Sequence, residues 1–205
     1  LTDTEPKIAP EEFASQSAQP TRAAGPLIVL HVGCGSRAAR SLHEAFRGPN
    51  WRELRLDIDP AAEPDIVASI TDMAPLEAES VDAVFSSHNL EHLAAHEVPC
   101  ALAEFRRVLR PGGLLLVTLP DLMAVAQLIV EGELEAPVYT SAAGPVTPLD
   151  ILYGYRPFLA LGGSAMAHRT GFTLESLREH LCGAGFLEQQ LWTQGLDLWA
   201  LVTRP

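Results

Sequence analysis

The chain has 205 residues, of which 47% are hydrophobic and 20% charged, and a formal net charge of −12. These figures suit one domain with a sizeable core and are ordinary for a soluble α/β protein. The acidity also argues against nucleic acid as a partner, because neutralising phosphate supplies most of the affinity in that class.

Residues 1–25 mix Glu, Pro, Ser, Gln and Ala with few large apolar side chains, and read as a flexible N-terminal arm. Within it, 10–14 has the composition either of a short helix over the site or of a loose leader. The domain proper is expected over 26–205. Residues 27–32 form an apolar, β-branched run that predicts a buried strand. The run ends at Gly33-Cys34-Gly35, and 38–46 has helical composition. A second short strand over 54–56 ends in Asp57. Asp65 follows eight positions later with Pro60 and Pro64 between, which leaves no room for a full crossover helix. Residues 65–73 predict a third strand ending in a polar loop, and 80–93 a fourth strand running into a helix.

Over 98–109, Val98, Ala101, Leu102, Phe105, Val108 and Leu109 follow helical spacing. Arg106, Arg107 and Arg110 gather toward the end where cations suit the helix dipole. Pro111-Gly112-Gly113 closes that helix and leads into a fifth strand over 114–120. Asp121 caps an apolar helix to about Ile129, and a segment rich in Gly, Pro, Ala and Tyr then continues to 172. A connection of this length in a compact domain is usually functional, so 121–172 is the candidate substrate lid. Thr173 caps a helix to Leu181, and 188–193 and 198–203 predict two final strands around Gln194-Gly195. The alternation predicts an α/β protein with a doubly wound, mainly parallel sheet.

A strand, a glycine turn and an acid at the tip of the next strand bring backbone and carboxylate to a nucleoside, with Asp57 placed to accept both ribose hydroxyls. The region lacks the third glycine of the dinucleotide fingerprint. Asp59 is a rival for the ribose, or it begins the turn with Pro60.

Taken together, "VLHVGCG", "LRLDIDP", "SITDM", "VDAVFSSHNLEHL", "EFRRVLRPGGLLLVTLP" and "HRTGFTLESLREHLCGAGF" resemble, in order, the class I S-adenosylmethionine-dependent methyltransferases of the type-11-like group. The resemblance runs from about residue 27 to the C-terminus. It implies a seven-stranded sheet completed by an antiparallel C-terminal hairpin, with S-adenosyl-L-methionine as cofactor. It implies that backbone at Gly33, Cys34 and Gly35 passes the methionine part and that Asp57 takes the ribose, with Ile58 against the adenine. Asp72 would accept from the adenine amino group, with Met73 beside the ring, and Ser86, Ser87 and His88 would close the site. His31 stands where the family often has an acid and Arg37 where it often has glycine. Arg37 could itself pair with the cofactor's carboxylate.

Methyl transfer needs a base only where the acceptor must lose a proton. His88, where the fourth strand ends, is the first candidate and His168 the second. A structural histidine is the competing reading for both. His88, Glu91 and His92 also match the H-x-x-E-H pattern of zinc peptidases. The pattern directly follows a predicted buried strand, so it is read as a helix start and no metal site is expected. Tyr153, Tyr155, Phe158, Met166 and Phe172 fit either an aromatic acceptor pocket or the packing of a lid.

The leading expectation is a methyltransferase acting on a small-molecule O or N acceptor. The alternatives are a cofactor-binding protein without transfer activity and a protein side-chain methyltransferase. No apolar run is long enough to cross a bilayer, and no leader pattern precedes the first strand. Cys34, Cys100 and Cys182 have neither disulfide-framework nor zinc-cluster spacing. A cytoplasmic location without membrane or nucleic-acid partners is expected, and the sequence leaves the oligomeric state open.

Overall fold

The computed structural model describes residues 25–39 and 41–205, so the expected N-terminal arm lies almost wholly outside the described residues. A seven-stranded sheet forms the centre. Its strands are β1 (Leu27–Val32), β2 (Trp51–Asp57), β3 (Ile66–Val67), β4 (Val81–Ser87), β5 (Leu109–Pro120), β8 (Leu187–Gln194) and β9 (Asp197–Thr203). They are arranged in the order β3-β2-β1-β4-β5-β9-β8. β1, β2, β3, β4 and β5 pair in parallel, and β9 pairs antiparallel with both β5 and β8. The expected sheet and C-terminal hairpin are therefore present.

The chain leaves β1 in one direction toward β2 and β3, then crosses to the other side of β1 for β4. In open α/β sheets that reversal creates a crevice at the strands' carboxyl ends, the usual ligand position.

One face of the sheet is covered by helix α1 (Val98–Val108) and helix α5 (Leu174–Gly183). Val98, Ala101, Leu102, Phe105 and Val108 of α1 join Leu177 and Leu181 of α5 against Leu30, Val32, Leu115 and Val117. Burying a side chain such as Phe105 contributes roughly 1.5–3 kcal/mol. Thr173 caps α5 by accepting from Ser176 N–H at 3.2 Å. The other face holds Val29, Phe46, Ala83, Phe85, Leu114, Leu116, Trp199 and Leu201.

On that second face the expected helix over 38–46 is absent among the described residues. Two 3-10 turns, Arg37–Ala39 and Glu44–Phe46, take its place. The cause is tertiary. His43 is extended (φ −60°, ψ 142°), and its buried ring lies 5.6 Å from the Trp199 ring and 5.9 Å from that of Phe85. Its Nδ1 accepts from Ala45 N–H, so local helix propensity yields to packing against the sheet.

Other boundaries move as well. The third strand shrinks to two residues because Ser69 Oγ accepts from Thr71 N–H and turns the chain. The fourth strand leads into a 3-10 turn, Leu90–His92, before α1 begins. β5 starts at Leu109, paired with Val81, and Pro111-Gly112-Gly113 lies inside it across a register shift.

The 121–172 insertion is more regular than its composition suggests. It contains α2 (Leu122–Val130), the hairpin β6 (Tyr139–Ser141) and β7 (Gly144–Val146), α3 (Pro148–Tyr153) and α4 (Arg156–Ala160). Val125, Val146 and Ile151 form a separate small core for it. Asp121 caps α2 through Met123 N–H, as expected. Its own N–H donates to Leu196 O beside the start of β9, which anchors the insertion at the carboxyl edge of the sheet. Among the described residues no helix is long and apolar enough to cross a membrane.

Candidate active site

The carboxyl ends of β1, β2, β4 and β5 and the start of β9 meet at one edge, which gathers Gly33–Gly35, Asp57, His88, Asp121 and Asp197. Gly33 and Gly35 both adopt left-handed backbone, at φ 58° and 57°. Asp57, at the tip of β2, accepts from Gly35 N–H at 2.8 Å and from Asp59 N–H at 2.9 Å. Asp59 instead caps the turn Pro60–Ala62 by accepting from Ala61 N–H. Of the two rivals, Asp57 is therefore the one held against the glycine loop. Ile58, one residue on, is 65% exposed.

Open space lies where a Cβ on Gly35 would project. An acceptor carboxylate, an open backbone approach and an exposed apolar side chain fit the ribose and adenine of a nucleoside.

The remaining cofactor candidates divide. Asp72 is exposed, at the turn after β3, and its Oδ1 accepts from Ala74 N–H. Met73 is completely buried in the core, so no part of its side chain is free to lie beside a ring. Cys34 is likewise buried, which raises its thiol pKa and leaves only its backbone for a ligand. His31 is 1% exposed, packed near Phe85 on the second face of the sheet, with Nδ1–H donating to Glu53 at 2.7 Å. Burial holds its pKa below the usual value despite that carboxylate. Arg37 donates to Asp65 at 2.9 Å. His31 and Arg37 thus both bond within the protein.

Arg55 was not singled out by its sequence, yet its buried guanidinium donates to Gly35 O at 2.6 Å and braces the loop from below. Only its alternation with Glu53 and Asp57 along β2 hints at this.

At the end of β4, Ser86 is buried and Ser87 partly so. Asn89, also missed, packs its amide against Gly33 and donates to Val32 O at 2.9 Å and to Ser87 O at 3.1 Å. Gly33 is thus required by Asn89 rather than by open space for a ligand. His88 has φ 51°, a conformation few non-glycine residues adopt and one that collects at functional sites. Its N–H donates to Thr118 O, and its ring is 47% exposed. Nδ1 lies 3.2 Å from Glu91 Oε1, and Nε2 lies 3.7 Å from Asp197 Oδ1. Partial burial disfavours its protonation, but the Glu91 and Asp197 carboxylates outweigh that and raise its pKa. Burial raises Asp197.

His168 comes to the same neighbourhood from the insertion. Its ring centroid is 4.9 Å from that of His92, and its Nδ1 lies 2.7 Å from Ile151 O. Burial lowers its pKa. Of the candidates for the acceptor pocket, Tyr153, Phe158 and Met166 are exposed, Phe172 is buried, and Tyr155 donates to Ala143 O.

Residues 30–117 match the family model described as a methyltransferase domain. Among solved structures, an S-adenosylmethionine-dependent methyltransferase from Mesorhizobium loti is similar at 18% identity and TM-score 0.55, over 95% of this chain and 96% of that one. An O-methyltransferase family 2 protein from Planctomyces limnophilus, in complex with apigenin, matches at 16% identity and TM-score 0.56, over 96% and 56%. Human N-acetylserotonin methyltransferase, in complex with S-adenosylmethionine, matches at 17% identity and TM-score 0.55, over 86% and 47%. A comparison with curated proteins finds no match. Residues 30–117 are thus similar to a methyltransferase domain, within a chain whose fold is similar to those of solved methyltransferases.

Proposed function

We propose that the acceptor is a small molecule methylated on oxygen or nitrogen, bound between the carboxyl edge of the sheet and the 121–172 insertion. The observation that carries this reading is the anchoring of the insertion on both sides of His88. Asp121 N–H bonds to Leu196 O, while Leu122 N–H bonds to Phe172 O and holds the insertion's own two ends together. Farther along, Arg169 N–H bonds to Glu91 O at 2.7 Å, while Tyr153, Phe158 and Met166 remain exposed on the insertion. A cover of that kind suits a small acceptor and excludes water from its reaction.

S-adenosylmethionine, when bound, supplies an electrophilic methyl group. The residues of this chain bind, orient and manage a proton. Asp57 holds the ribose, Ile58 flanks the adenine, and the Gly33-Cys34-Gly35 backbone lies along the methionine part. Asp72 takes the adenine amino group. For a hydroxyl acceptor, His88 receives the proton at a ring nitrogen and Asp197 steadies the resulting charge. An amine that arrives unprotonated needs no base to react.

The reading is tested by incubating the protein and radiolabelled cofactor with a cell extract separated into small-molecule and protein fractions. Label in the small-molecule fraction, reduced in His88→Ala, is expected. Label confined to protein would replace this reading with side-chain methylation, and cofactor binding without any label would leave a binding protein.

A further inference from the structure

Glu91 faces the His88 ring, but that contact does not satisfy its carboxylate. It is 1% exposed, and neither carboxylate oxygen receives a hydrogen bond. A buried carboxylate without donors is costly by several kcal/mol, so a cation is expected to face it. Its neighbours supply part of one. His88 Nδ1 is 3.2 Å from Oε1 but out of hydrogen-bond alignment, and that ring is itself half-exposed.

The other neighbours are imidazoles arranged as metal ligands are. Glu91, His92 and His168 each offer a ligand atom, and all these atoms lie within 4.8 Å of one another. His168 Nδ1 stands 2.7 Å from Ile151 O, and His92 Nδ1 3.3 Å from Ala167 O. A carbonyl oxygen only accepts, so both Nδ1 atoms carry a proton, and Nε2 is the ring nitrogen left to offer a lone pair to a metal. Metal-bound histidines are oriented in this way by backbone carbonyls. The frame is also fixed, because Arg169 N–H bonds to Glu91 O and ties the two ligand-bearing segments together. The H-x-x-E-H spacing pairs His92 with His88, whereas the fold brings His168 to His92 instead, from 76 positions along the chain.

We infer that Glu91, His92 and His168 form a binding site for one divalent first-row transition metal ion. Two imidazoles and one carboxylate favour such an ion over magnesium or calcium, which prefer all-oxygen sites. Three protein ligands leave coordination positions for a small molecule. The site stands on the turn that follows β4, next to His88. If the proposed methyltransferase reading holds, the ion would stand beside the acceptor and would favour a hydroxyl compound, whose oxygen it could polarise. The metal site itself does not depend on that reading.

The test is calorimetric titration of Zn²⁺ into the full chain after chelator treatment and its removal, in a Cys100→Ser/Cys182→Ser background that removes exposed thiols. One ion per chain and a raised melting temperature are expected. Affinity should fall by at least about tenfold in Glu91→Gln, His92→Ala and His168→Ala, the loss seen even for outer partners of metal ligands. It should be unchanged in His96→Ala. Melting curves without metal identify any variant that fails to fold, and Glu91→Gln keeps the side-chain shape. Absence of Zn²⁺ binding by the unsubstituted chain, or binding that survives both His168→Ala and Glu91→Gln, overturns the inference. S-adenosylmethionine titrated in parallel reports the cofactor site separately, so failure of one reading is distinguishable from failure of the other.

Discussion

The side-chain amide of Asn89 occupies the space that a Cβ on Gly33 would fill. The loop after β1 is thereby locked to the end of β4 across the switch point. Gly33 also needs its φ of 58°, which costs an L-residue roughly 1–2 kcal/mol. Gly33→Ala should therefore destabilise the protein by at least about 2 kcal/mol in denaturant unfolding. In an Asn89→Ala background the clash disappears and the same substitution should cost only about 1 kcal/mol, the backbone share. Equal costs in both backgrounds would remove Asn89 as the reason for the glycine.

Asp57 and Asp59 are separated by a single residue and by their roles. Asp57→Ala removes a charged acceptor and should weaken S-adenosylmethionine binding at least about tenfold, the equivalent of about 1.5–3 kcal/mol. Asp59→Ala removes the cap on Ala61 N–H and should cost about 1 kcal/mol of stability while leaving the dissociation constant unchanged. Calorimetric titration of both variants decides. Loss of affinity in Asp59→Ala alone would transfer the ribose to that residue.

Local signals in the sequence were legible where one element's own residues decide its structure. Asp57 at a strand tip, Asp121 and Thr173 as caps and the apolar stripe of α1 each need only near neighbours. What escaped sequence reading depends on contacts far along the chain. His43 abandons a helix for Phe85 and Trp199, Arg55 reaches back to Gly35, and His168 meets His92 only after the insertion folds. His31 and Met73 stand at motif positions, but their side chains are buried within the protein. Position in a motif does not fix the face that a side chain takes.

Asp150 should make the insertion sensitive to acid. Burial alone would raise its carboxyl, but hydrogen bonds from Arg156 and Thr147 outweigh this and hold it well below the usual carboxylate range. A folded pKa below the unfolded value of about 3.9 means that the stabilisation is complete above that pH and is lost as pH falls below it. Asp150→Asn should lower stability at neutral pH by about 1.5–3 kcal/mol and flatten the acid limb of the stability profile. Thermal melts between pH 2 and pH 7 measure both effects, and an unchanged acid limb would assign it to other carboxylates.

The insertion should also respond to the cofactor site. Its core is small, its hairpin pairs only three residues with three, and a two-stranded hairpin is marginal by itself. It is tied to the rest of the domain through Asp121 and Arg169, which border the edge where Asp57 and His88 stand. Amides over 130–170 should therefore exchange faster than those of β4 or α1 in the free protein, since they lie at the low end of local stability. Saturating S-adenosylhomocysteine should slow them, because a ligand that binds the closed arrangement better shifts the population toward it. The same concentration should protect Asp57→Ala less, in proportion to its weaker binding. Strong and equal protection of 130–170 with and without ligand would make the insertion a fixed wall of the site, and slowing confined to 33–58 would limit the ligand's influence to the loops that bind it.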